Sequence, residues 1–153
     1  STHNVGSILR TADGLGINEV YFSGYTPYPI GPKDTRLPHQ AAKTNHQIHK
    51  TALGAEKSVA WQHKPNIDKL LVELKSKKYM VVALEQSKEA VDIRQFTPPT
   101  KIALIVGSEI GGLPRTVLDL CDAHIHIPMS GKKESLNVAV AAAIAMYYLK
   151  NLA

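Results

Sequence analysis

The chain has 153 residues and a single cysteine, Cys121. One thiol excludes an internal disulfide and a cysteine-based metal site, and it fits a reducing compartment such as the cytoplasm. No apolar run approaches the ~20 residues of a membrane span. The N-terminus lacks the pattern of a secretory signal. Neither GxGxxG nor GK[ST] occurs, so the dinucleotide fingerprint and the P-loop are both missing. The chain opens on Ser1 rather than Met, which leads us to expect that it starts inside a longer or processed protein.

The composition, 44% hydrophobic and 20% charged, is that of a globular domain. A single domain over residues 1–153 is expected, of a size that buries roughly 70% of its unfolded surface. The formal net charge of +5 and pI near 9.3 favour a polyanionic partner.

Along the chain, Val5, Ile8, Leu9, Ala12 and Leu15 recur with helical period, with Asn4 as a candidate N-cap and Gly16 as a stop. "EVYFSG" (19–24) reads as a strand. Residues 25–50 carry Pro27, Pro29, Pro32 and Pro38 and read as a long irregular loop of the kind that is functional or mobile. "KSVAWQ" (57–62) reads as a short strand, and Ile67, Leu70, Leu71 and Leu74 mark a second amphipathic helix. "YMVVALE" (79–85) and "KIALIVG" (101–107) are near-continuous apolar runs, as parallel strands covered on both faces require. Pro114 can open a helix running through Cys121. "HIHIP" (124–128) is the last strand and residues 136–150 the last helix. Helix and strand alternate, so the fold class is α/β, a mostly parallel sheet sandwiched by helices. No strand is visible before the first helix.

Three stretches carry candidate chemistry. In "HNVGSILRTADGLGI" (3–17), Asn4 stands at the expected helix mouth and Arg10 under two turns in; by themselves they read as a cap and a solvated cation. In "IVGSEIGGLP" (105–114) a strand runs into a glycine-rich loop, where glycine permits close backbone approach and where α/β proteins bind ligands. In "IHIPMSGKKESLNVAVAAA" a strand, a turn at Ser130 and Gly131 and the polar pair Ser135 and Asn137 lead into an alanine-rich helix. Ser135 and Asn137 can cap that helix and still offer polar atoms to a ligand. The alanines allow close packing. Lys33, Arg36, Lys43 and Lys50 face one acid, Asp34, across residues 25–50, with Tyr25, Tyr28 and histidines between them. Cations on phosphates and rings on unstacked bases are how single-stranded RNA is gripped. The histidine pairs 46/49 and 124/126 lack accompanying acidic or thiol ligands, so no metal is expected.

Together the three stretches carry a resemblance. They read Asn4-Val5-Gly6 with Arg10-Thr11-Ala12, then Gly107-Ser108-Glu109 with Gly112-Leu113, then Ile127-Pro128-Met129 with Ser135-Leu136-Asn137-Val138. In this order and spacing, over essentially the whole chain, the sequence resembles the SpoU (TrmH-like) branch of the SPOUT RNA ribose 2′-O-methyltransferases. The resemblance implies a C-terminal deep trefoil knot that forms the pocket for S-adenosylmethionine, later S-adenosylhomocysteine. It implies Leu84, Gly107, Ile127, Met129 and Leu136 as cofactor contacts and Arg10, Asn4, Glu109, Ser135 and Asn137 as the catalytic set. It further implies a homodimer, a tRNA or rRNA substrate, and no metal. The basic stretch, with Lys33, Arg36, Lys43 and Lys50, would hold the RNA. Two other readings stand beside it: an RNA-binding module that keeps the fold without catalysis, and a nucleotide-binding Rossmann enzyme, which the missing fingerprint disfavours.

Overall fold

The computed structural model describes residues 1–152. They form two compact units, Ser1–Asn66 and one that begins at Ile67. The first contains α1 (Thr2–Gly14), β1 (Val20–Phe22), α2 (Pro38–Ala52), α3 (Ala55–Ser58) and β2 (Trp61–His63). The second contains α4 (Ile67–Ser76), β3 (Met80–Leu84), β4 (Val91–Asp92), a 3₁₀ turn (Ile93–Gln95), β5 (Ile102–Val106), α5 (Arg115–Leu118), β6 (Ala123–His126) and α6 (Val138–Leu152). The strands divide into two sheets, both parallel, rather than the one sheet expected.

In the first unit, α1 buries Val5, Leu9 and Ala12 along one stripe, as its period predicts. The cap differs from expectation. Ser1 is the N-cap, and its hydroxyl accepts a hydrogen bond from the Asn4 N–H at 3.2 Å. Asn4 lies inside the first turn, because the helix starts at Thr2 and Ser1 is as good a cap as asparagine. The other end follows the sequence. Gly16 has φ +62°, and the N–H groups of Gly16 and Ile17 close onto the carbonyls of Asp13 and Ala12.

The largest departure is α2. Residues 38–52 are helical, where four prolines point to loop throughout. Pro38 is in the first turn, where a missing N–H costs nothing. The helix buries Ala41, Ile48 and Ala52. Two of these are alanines, so the apolar stripe is too faint to read. Gly6 explains how α1 and α2 meet. A Cβ there would lie 2.1 Å from Thr51 Oγ1 and 2.4 Å from the Ile48 carbonyl oxygen. The Thr51 hydroxyl donates to the His3 carbonyl across the same junction. Only glycine lets the two backbones approach so closely. Residues 57–62 also differ from expectation: α3 takes 55–58 and the strand is limited to Trp61–His63.

The second unit is a four-stranded sheet in the order β4-β6-β3-β5. β3 pairs with β5 over five residues, Met80 with Ile102 through Leu84 with Val106. β6, last in the chain, is inserted between β3 and β4. One face carries Val82, Ile93, Ile125, Ala145 and Leu149, and the other Leu71, Val81 and Val117. Helices cover both faces, as the unbroken apolar runs of β3 and β5 foretell. Each such Leu, Ile or Val contributes roughly 1.5–3 kcal/mol by leaving water. The helix after Pro114 ends at Leu118, short of Cys121, and Pro114 itself is the N-cap. Helix α6 begins at Val138, two residues later than expected, because Asn137 caps it: its Oδ1 accepts from Ala139 N–H at 2.9 Å and Val140 N–H at 3.4 Å.

Candidate active site

Strands β3, β5 and β6 are adjacent and parallel, so their carboxyl ends share one edge of the sheet. The residues that follow them line a cavity of about 410 Å³. Leu84, Glu85 and Gln86 come from the end of β3, Val106 through Glu109 with Gly112 from the end of β5, and His126 and Ile127 from the end of β6. Ser135 through Val138 and Ala141 close it from the start of α6. This is where ligands bind in parallel α/β sheets, and the volume is of a size for a small molecule or cofactor.

Hydrogen bonds hold the loops in place. After β5 the chain turns back on itself, and Ser108 and Gly112 exchange backbone bonds at 3.3 and 3.1 Å. A Cβ at Gly107 would lie 2.2 Å from the Gly112 carbonyl carbon, so the turn closes only over glycine. Gly112 has φ +62° and lies against the Glu85 carboxylate, where a Cβ would come within 2.5 Å of Oε2. That oxygen accepts from the Leu113 N–H at 3.0 Å. Gln86 donates to the Ile127 carbonyl at 2.7 Å, linking the ends of β3 and β6. Asn137 lines the cavity and directs its carbonyl oxygen to the N–H groups of α6.

The residues named from sequence fall as follows. Leu84, Gly107, Ile127 and Leu136 line the cavity, and so do Glu109, Ser135 and Asn137. Met129 and the Ser130–Gly131 turn are not among the lining residues. Arg10 is exposed on α1, and Asn4 half-buried on the same helix, both in the first unit. Lys33, Lys43 and Lys50 are exposed, the last two on α2 rather than in a loop. Arg36 is not the free cation the sequence suggests. It pairs with Asp34, donates to the carbonyls of Tyr28 and Pro29 at 3.0 Å each, and stacks 3.8 Å over the Tyr28 ring. Sequence reasoning misses Glu85 and Gln86. They follow a strand directly and carry no motif, although an acid immediately after an apolar strand is a signal in plain view. Among the described residues no three of His, Cys, Asp and Glu converge as a metal site requires, and no helix is long and apolar enough to cross a membrane.

A cavity at the carboxyl ends of parallel strands, shaped by glycine-dependent turns, places the chain among the parallel α/β folds, which bind ligands at that edge. Residues 1–147 match the model of the SpoU rRNA Methylase family, and the chain belongs to that family. It is 37% identical over 145 residues to a Staphylococcus haemolyticus protein named "Putative TrmH family tRNA/rRNA methyltransferase", covering 95% of this chain and 52% of that one. The chain thus spans about half the length of the curated relatives it matches. A crystal structure named as an RNA 2′-O ribose methyltransferase superposes with a TM-score of 0.78 at 25% identity, over 99% of this chain and 52% of that one. The SpoU methyltransferase AviRb from Streptomyces viridochromogenes, in complex with AdoMet, has the same fold: TM-score 0.79, 24% identity, over 99% of this chain and 56% of that one.

Proposed function

We propose that this chain binds S-adenosylmethionine in the cavity beyond β3, β5 and β6 and methylates a ribose 2′-hydroxyl of tRNA or rRNA. The observation that carries the reading is the convergence of the second and third motifs on that one cavity. The AviRb complex with AdoMet supports the cofactor, and the 2′-O ribose methyltransferase structure supports the reaction.

The lining suits the cofactor. Leu84, Val106, Ile127, Leu136, Val138 and Ala141 offer apolar walls for a purine. Glu85, Glu109, Ser135 and backbone groups offer acceptors for ribose hydroxyls and an amino group, and the carboxylates suit a positively charged sulfonium. Bound there, S-adenosylmethionine supplies an electrophilic methyl group. The rest is the chain's own task. The apolar walls exclude water, and the Leu113 N–H pins the Glu85 carboxylate in one orientation. A 2′-hydroxyl is a poor acid, so its oxygen must be held in line with the methyl and its developing charge met by a donor. We assign that donor to Arg10. Its guanidinium, a permanent cation, holds the neighbouring phosphate and stabilises the alkoxide, while the phosphate takes the proton. Asn4 orients the ribose or Arg10, Glu109 and Ser135 fix the site geometry, and Asn137 positions Arg10 or the nucleotide.

Two further expectations belong to this proposal. A trefoil knot in the C-terminal part is supported by the insertion of β6 between strands laid down earlier. A homodimer is supported by the exposed apolar stripe Val140, Ile144 and Tyr147 on α6, and sedimentation of the wild-type chain tests it.

The decisive assay is transfer of a labelled methyl group to total tRNA and rRNA, wild type beside Arg10→Ala. Wild-type transfer that Arg10→Ala loses is expected. RNA binding with no transfer by either protein would favour a non-catalytic RNA-binding module. Calorimetric titration with S-adenosylhomocysteine and with NAD separates the remaining alternative, since tighter NAD binding would point to a nucleotide-binding enzyme.

A further inference from the structure

The first unit holds a second cavity, of about 320 Å³, lined by Ile30, Ala42, Asn45, His46, His49, Glu56 and Lys57. Ala42, Asn45, His46 and His49 are spaced i, i+3, i+4 and i+7, so they share one face of α2. Lys57 comes from α3 and Ile30 from the segment before α2. None of these residues belongs to the three motifs.

The cavity offers a ligand hydrogen-bond donors. Asn45 Oδ1 is occupied by the Ile30 N–H at 3.0 Å, which leaves the side-chain NH₂. The Lys57 ammonium and the His46 ring have no side-chain partner among the described residues. The one acid, Glu56, is sequestered. Its side chain is 3% exposed, Oε1 meets His49 Nδ1 at 2.6 Å, and Oε2 accepts the Gly54 N–H at 3.0 Å. A carboxylate can only accept, so His49 Nδ1 carries the hydrogen. That leaves the Nε2 edge of the ring for a ligand. Burial works to raise the Glu56 pKa, but the bonds from His49 and the backbone N–H groups outweigh it and the net shift is downward. Glu56 therefore stays a carboxylate, steering His49 from below without presenting charge to the cavity. Beyond His46 on the same helix, Lys43 and Lys50 are both exposed, so the positive surface continues past the cavity edge.

We propose that this α2–α3 cavity binds a phosphate group of an RNA strand, with His46, Lys57 and the Asn45 amide as its donors and the Nε2 edge of His49 beside them. The assignment rests on the reading of this protein as acting on RNA and adds the place where one backbone phosphate is held. Phosphate contacts fix the register of a strand without reading its bases, so the site positions substrate rather than choosing its sequence. Lys43 and Lys50 meet the neighbouring phosphates, and Glu56 acts through His49 as a positioning residue.

The test compares wild type, Lys57→Ala and His46→Ala/Lys57→Ala. Each is titrated with a short single-stranded RNA across a salt series, with inorganic phosphate, and with S-adenosylhomocysteine. The double variant is expected to bind RNA about tenfold more weakly. Its salt slope should fall by about 0.7 for each phosphate of a single strand that the protein no longer neutralises. S-adenosylhomocysteine affinity and the thermal melt should stay unchanged, which separates a local effect from misfolding. In wild type, RNA and inorganic phosphate should both shift the His46 and His49 ring resonances. An unaltered RNA affinity and slope in the double variant would overturn the site. Ring shifts with inorganic phosphate alone, and RNA binding indifferent to the variants, would assign the cavity to a free anion and overturn the strand assignment. Failure of wild type to bind S-adenosylhomocysteine would sink the methyltransferase reading and leave the salt-slope result standing by itself.

Discussion

The two cavities of this chain make their polarity in different ways. The one beyond β3, β5 and β6 is built from loop backbone, glycines and the carboxylates of Glu85 and Glu109. The one on α2 and α3 is built from side-chain donors, with its single acid buried beneath them. A sheet edge can bring distant backbone segments into one place, so it suits a ligand that must be enclosed. A helix face repeats side chains at fixed spacing, so it suits a ligand met from one side. The contrast suits the ligands proposed for them, a sulfonium with a planar base in the first and a phosphate in the second.

The contrast can be broken at either end. The largest effect is expected from Arg10→Ala. Removing a donor to a developing oxyanion costs about 10²–10³ in rate, and methyl transfer should fall by that order. Binding of S-adenosylhomocysteine should stay unchanged; a matching drop in cofactor affinity would assign Arg10 to the cofactor instead. Next comes Gly107→Val, which drives a side chain into the Gly112 backbone. Overpacking costs roughly 1–3 kcal/mol, so calorimetry should show S-adenosylhomocysteine affinity reduced about tenfold or more. RNA affinity of the isolated protein should be retained. Normal cofactor binding by this variant would move the pocket elsewhere.

Lys43→Ala and Lys50→Ala should each weaken RNA binding by a few-fold and lower the salt slope by about 0.7, with cofactor affinity untouched. Sequence alone ranks Arg36 beside them, but the structure orders these differently. Arg36 is engaged by Asp34, Tyr28 and Pro29. Arg36→Ala should therefore disturb the 28–36 segment more than it weakens the hold on RNA, visible as a lowered melting temperature with an almost unchanged salt slope.

The smallest effect is in acid. The Arg36 side chain holds the Asp34 carboxyl at about 2, below its ordinary 3.8. A depressed carboxyl stabilises the fold above its unfolded pKa and loses that contribution as pH falls through the folded one. Denaturant melts of the wild type should lose stability between about 4 and about 2, and Asp34→Asn should flatten that part of the curve.

Much of the second unit is legible in the sequence because its signals are local. "YMVVALE" and "KIALIVG" are apolar without interruption, and a strand covered on both faces needs that. Ile67, Leu70, Leu71 and Leu74 announce α4 by period alone. Helix α2 is not legible, since its buried face is mostly alanine and its first residue is a proline that reads as a breaker. Ser1 takes the cap from Asn4 because helix ends are decided by a residue or two of competing local chemistry.

For the sites, the motifs in the sequence singled out Gly107, Glu109, Ser135, Leu136 and Asn137, and all five line one cavity. Tertiary structure alone decided that Glu85 and Gln86 join them, that Met129 does not line the cavity, and that Arg36 is spent within the protein while Lys57 is available. The physical reason is range. A motif records which groups a ligand needs, but a side chain's freedom depends on neighbours brought to it from elsewhere in the chain. Only the folded arrangement shows which donors and acceptors are already satisfied.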